Sequence, residues 1–216
     1  MKLYCKDVDI LRFEPSAYFT SSFDSQLLAE GSGANLNNGT LNLGGNGINI
    51  NHIKDGMVIH LYKKNPYKGK VYEIIGAATN QMLTVSIPNL EEKKVGIDPA
   101  NDTNLNYRIL TFHSRIVSVS ESILEKVKRF YKVKADSINL PETRTLTDCA
   151  AFGTLSQIFI SRSVNANADD PNWRKSQYYG NMYEEKLAQI IANLDTDDNG
   201  IADSADKSNN VTLRRI

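Results

Sequence analysis

Asp195, Asp197, Asn199, Asp203 and Asp206 put side-chain oxygens at relative positions 1, 3, 5, 9 and 12 of one acidic stretch. Gly200 stands at position 6, where a sharp turn is needed, and Ile201 can offer its backbone carbonyl at position 7. A single loop with this spacing can wrap a hard, oxygen-seeking cation such as Ca2+. A metal held this way is structural, because all its ligands come from one loop and no second group is placed to activate water.

The match has two departures. Position 12 is Asp rather than the longer Glu of a helix-loop-helix hand, and the following Lys207-Ser-Asn-Asn210 is polar rather than amphipathic. The loop is therefore nearer in pattern to the calcium loops of thrombospondin-type and dockerin-type repeats. The competing reading is an Asp/Asn/Gly-rich turn that ends the preceding helix at Leu194 and binds nothing.

Other chemistry is sparse. His52, His60 and His113 form no HxxxH pair, so a zinc site is not expected. Cys5 and Cys149 are far apart and are read as free thiols. Gly44-Gly-Asn-Gly47 lacks the flanking strand and helix of a phosphate cradle. Lys63, Lys64, Lys68 and Lys70 alternate with Tyr62, Tyr67 and Tyr72 on one hairpin. That pattern suits nucleic-acid contact on a small barrel. It equally suits lysines guarding an edge strand, which is the preferred reading here.

The 216 residues, 41% hydrophobic and 23% charged, can bury a real core in one large or two small domains. Twenty-five basic and 25 acidic residues cancel, so no net charge draws the chain to nucleic acid or to a membrane surface. No signal peptide is read in the first residues and no apolar run is long enough to span a bilayer, so synthesis in the cytoplasm is expected.

These residues must be positioned by three kinds of segment. Asp7 is expected to cap a short helix through Phe13, ended by Pro15, and Phe19, Phe23, Leu27 and Leu28 have the spacing of a second one. Residues 31–51 read as a glycine- and asparagine-rich loop or short hairpin strands. Strands follow at Met57–Tyr62, Val71–Ile75, Met82–Ile87 and Tyr107–Phe112, as in a small antiparallel barrel or sandwich. From Ser118, with Glu121 completing a capping box, the period becomes helical. A second helix opens at Pro141-Glu142 and is apolar over much of its circumference. A third is capped by Asp170 with Pro171 in its first turn and runs into the acidic loop.

The opening Tyr4-Cys-Lys-Asp7-Val-Asp-Ile-Leu11, with Glu14-Pro, resembles the start of head–tail connector (adaptor) proteins of tailed bacteriophages. So do Leu124-Glu-Lys-Val127 with Phe130-Tyr131, Ala150 with Ile158-Phe159, and Tyr178-Tyr179 with Met182-Tyr183-Glu-Glu-Lys-Leu187. The acidic segment is also similar to one that ends a helix in some of them. The resemblance spans residues 1–30 and 118–206. It implies a ring of on the order of a dozen identical subunits, joined to the portal protein and to tail-side connector proteins. It implies a place in the virion, with DNA only as passing cargo and no membrane.

The expected fold is therefore α+β: a helical connector bundle, residues 1–30 and 118–206, with an inserted antiparallel β module over 31–117 and a C-terminal arm over 207–216. The expected function is structural rather than enzymatic. Two alternatives stay open, a calcium-binding adhesion or accessory module and an enzyme with a site in a β–helix cleft.

Overall fold

The computed structural model describes residues 2–19, 27–44, 50–65, 68–88, 96–131, 140, 143–164 and 169–193. The chain forms two compact units. One is continuous, Lys6–Ser114; the other joins Met1–Cys5 to Arg115–Ile216. The expected divisions at 30/31 and 117/118 thus fall instead at 5/6 and 114/115, and residues 6–30 group with the β module.

The continuous unit is a closed antiparallel barrel of six strands: β1 (Leu27–Asn37), β2 (Thr40–Asn42), β3 (Val58–Tyr62), β4 (Lys70–Thr79), β5 (Met82–Ser86) and β6 (Asp102–Leu110). Their order around the barrel is β1-β2-β5-β4-β3-β6, with β6 closing on β1. Strands β3, β4 and β5 form a meander and β6 returns beside β3, which is a Greek key. Of the expected barrel or sandwich, it is the barrel that forms.

Local chemistry explains the closure. Asn38 and Gly39 both adopt positive φ, 44° and 71°, in the two-residue turn that sets Asn37 opposite Thr40. This turn needs left-handed backbone at both positions, which Asn and Gly tolerate. Gly31 lies opposite Tyr107, and a Cβ there would come within 2.6 Å of the tyrosine hydroxyl, so the ring crosses bare backbone. The long strands β1 and β4 break register at several points, which bends them around the barrel. Leu36, Leu41, Ile59, Ile74, Leu83 and Ile109 fill the interior.

Leu27 and Leu28, expected in a short helix, begin β1; Phe23 lies outside the described residues. Strand β1 pairs with β6 through most of its length, so long-range pairing overrides the local spacing. Helix α1 (Asp7–Phe13) forms as expected, but Lys6 occupies the capping position and Asp7 is buried inside the first turn.

The second unit holds α2 (His113–Tyr131), α3 (Arg144–Arg162) and α4 (Pro171–Ala192); the unit boundary falls in the first turn of α2. Helix α2 starts five residues before the expected capping box. Helix α3 starts after Thr143, whose side chain accepts from the Leu146 amide, rather than at Pro141. Asp170 caps α4 as expected, accepting from the amides of Asn172 and Trp173, with Pro171 at the first position. Burial is continuous from Cys149 through Leu155, so α3 is the central helix. Gly153 makes this possible: a Cβ there would lie 2.7 Å from Val119 and 2.9 Å from Tyr183. Among the described residues no helix is long and apolar enough to cross a membrane.

Candidate functional site

The six expected cation ligands, Asp195, Asp197, Asn199, Ile201, Asp203 and Asp206, lie outside the described residues. Helix α4 leads toward them, ending at Ala192 with Asn193 as its C-cap. Among the described residues no group of three or more His, Cys, Asp or Glu side chains could hold a metal.

The lysine-tyrosine hairpin, by contrast, is well placed. It joins β3 to β4, and its turn is closed by the Lys68 amide donating to the Asn65 carbonyl at 3.0 Å. Described residues of the hairpin and the start of β6 line a cleft of about 520 Å³. Leu36, Leu61, Tyr72 and Leu105, all buried, make an apolar floor continuous with the barrel interior. The rim carries Lys63, Lys64, Lys68 and Lys70 against the carboxylate of Asp102. Lys63 Nζ meets Asp102 Oδ1 at 2.9 Å, and both are substantially exposed. This hydrogen bond, helped by the Thr103 amide, holds the Asp102 carboxyl below its ordinary range.

The edge-guarding reading of these lysines fails for a topological reason. Strand β3 pairs with both β4 and β6, and β4 with both β3 and β5. A closed barrel leaves neither as an edge to protect.

Behind the hairpin lies His60, 1% exposed on the outer side of β3. The Phe19 ring stands edge-on to its imidazole at 5.1 Å between centroids. Its Nε2 has no hydrogen-bond partner among the described residues. Burial, and then the charge of Arg108, lower its pKa to about 4, so the ring is neutral at pH 7. A Cβ on Gly69 would sit 2.1 Å from Nε2, so only glycine lets the hairpin close over this ring.

Asp7 is a second buried ionisable group, one the sequence reading placed at a helix cap. Its Oδ1 accepts from the Phe112 amide at 2.7 Å and the Tyr18 hydroxyl at 3.1 Å; Oδ2 accepts from the Thr111 hydroxyl at 2.7 Å. Burial pushes its carboxyl up to about 6, and these three hydrogen bonds restrain the rise. Asp7 is a clasp between the two ends of the barrel unit. Thr111 and Phe112 are more than a hundred residues away, so no local signal marks them.

The helical unit is tied by polar contacts around α3. Arg115 donates to the Gln157 carbonyl at 2.8 Å and the Ser161 hydroxyl at 3.0 Å. Lys126 meets Glu184 at 2.7 Å. The start of the chain joins the same unit: the Tyr4 amide donates to Ser120 Oγ at 3.2 Å, and Lys2 Nζ to the Leu140 carbonyl at 3.4 Å. Both cysteines are buried thiols outside any disulfide, and burial raises the Cys149 thiol to about 12, leaving it inert.

No protein-family model, curated protein or solved structure gives a significant match to the chain.

Proposed function

We propose that the chain is a structural virion protein, a head–tail adaptor that assembles with copies of itself into a ring between the portal and tail-side proteins. One observation carries this reading: the helical unit begins with the first residues of the chain, is interrupted by the barrel, and resumes at Arg115. A helical adaptor with a module inserted near its start has this arrangement; the later segments of the resemblance noted above fall on α2, α3 and α4, while its opening segment falls mostly in the barrel unit. The unit also keeps aromatic side chains on its surface. Tyr178 on α4 is 60% exposed and Phe130 on α2 is 40% exposed. Tyrosine and phenylalanine favour subunit contacts, where they bury large areas at low entropic cost. The acidic segment from Asp195 would hold a hard cation such as Ca2+ and so fix the path of the chain beyond α4.

The test is light scattering coupled to size exclusion, with negative-stain imaging, on the full chain alone and mixed with portal protein. Closed rings in either sample are expected, and Tyr178→Glu weakens them. A chain that stays monomeric at high concentration and in the presence of portal protein would overturn the proposal.

A further inference from the structure

The hairpin lysines have no edge to guard, yet four of them surround one apolar-floored cleft. We propose that this cleft at the β3–β4 end of the barrel binds a nucleotide of a single-stranded nucleic acid, with the phosphate on the lysine rim and the base against Tyr62 over the apolar floor. The inference does not depend on the adaptor reading.

Three observations carry it. The first is charge: Lys63, Lys64, Lys68 and Lys70 face the single carboxylate of Asp102 among the lining residues. Only Lys63 of the four is in an ion pair among the described residues. Four ammonium groups facing one carboxylate leave a net positive rim, which a bound anion complements. Lysine is suited to the task, as a mobile point charge that follows a flexible phosphate backbone.

The second is shape. A cleft of about 520 Å³ falls in the range of small-ligand sites and admits a nucleoside phosphate. Over the buried floor, the half-buried Tyr62 ring and the lysine stems stay bare beside a simple inorganic anion, whereas a base packs against them. Tyr62, half-buried in the lining, offers ring surface to a planar group.

The third is the fixed frame. Lys63 is anchored through its carbonyl, which accepts from the Asn106 side-chain amide, and through its ion pair. Asn101, beside the rim, accepts from the Asn38 amide at 2.8 Å, so the β1–β2 turn buttresses the opposite wall. The rim is thus held by three separate stretches of chain.

Fluorescence anisotropy of a labelled oligothymidylate, titrated with the full chain, tests the proposal. Binding is expected to weaken roughly 20-fold between 50 and 200 mM salt if about three phosphates are neutralised. The double variant Lys68→Glu/Lys70→Glu should bind at least tenfold more weakly. Lys54→Glu, an exposed lysine of the same unit outside the cleft, should bind like the wild type. Circular dichroism melts check that both variants fold. An abasic strand of equal length and charge should bind several-fold more weakly, because it has no base to pack on the Tyr62 ring.

Four results would each overturn the assignment: no binding by the wild type, equal loss in the Lys54 and Lys68/Lys70 variants, equal affinity for the abasic strand, or equal affinity for an acidic peptide of matched charge.

Discussion

Asp7 allows the charge of one buried carboxylate to be separated from its hydrogen bonds. Its folded-state pKa of about 6 stands above the ordinary 3.8, so the folded chain holds that proton more tightly than the unfolded chain does. The stabilisation linked to this proton is fully present below the unfolded value and is lost as pH rises through about 6. A gap of about 2 units corresponds to about 3 kcal/mol in total, of which about 1 kcal/mol is recovered between pH 8 and pH 5. Asp7→Asn keeps an acceptor for the Phe112 amide and Tyr18 hydroxyl but cannot titrate. The variant should therefore lose about 1 kcal/mol relative to the wild type on going from pH 8 to pH 5. Asp7→Ala is a different perturbation. Tyr18 retains the Asp7 carbonyl at 2.8 Å, but the buried Phe112 amide is orphaned, costing about 2 kcal/mol at pH 8. Urea unfolding followed by far-UV circular dichroism gives the differences, and hydrogen exchange of barrel amides assigns them to that unit. Titration of His60 occurs in all three proteins and cancels. The reasoning fails if Asn and wild type differ by the same amount at both pH values, or if Ala is as stable as Asn.

Three further outcomes are expected. His60 should stay neutral in an NMR titration down to about pH 4, and its depressed pKa contributes stability that is present above about 6.5 and lost as pH falls through about 4; a midpoint near 6.5 would contradict its burial. Gly153→Ala should destabilise the helical unit by about 1–2 kcal/mol in thermal melts, because overpacking against Val119 and Tyr183 outweighs the gain in helix propensity. Calorimetry with Ca2+ should show binding heat for the wild type and little for Asp197→Ala; absence of heat and of any melting shift in the wild type would remove the cation from the proposal.

The strands with strong apolar alternation were legible, as were the helix at Asp170-Pro171 and the central character of α3. In each case the deciding signal is local: a two-residue period, a capping residue or an all-round apolar surface. What the sequence hides is non-local. The first half of β6, Asp102-Thr-Asn-Leu-Asn, carries one apolar side chain and reads as loop; it is a strand because β1 lies beside it. Asp7 precedes an apolar run and so looks like a cap, while its real partners are Thr111 and Phe112. The hairpin lysines were read against an edge strand, a reading that closure of the barrel removes. Their convergence on one cleft needs Leu36 and Leu105 from two other strands, which no spacing within the hairpin encodes.

The Asp7 clasp also bears on how the chain carries load. Phe112 and Asp7 meet at 2.7 Å, so the barrel unit is entered and left at nearly the same point. Tension running along the backbone through the helical unit would arrive at Lys6 and depart from Ser114 without traversing the strands between them. The first element to yield under pulling between Lys6 and Ser114 is then the clasp rather than the sheet. Force across Lys6 and Ser114 is borne by the hydrogen bonds of one carboxylate and leaves the strand ladders unloaded.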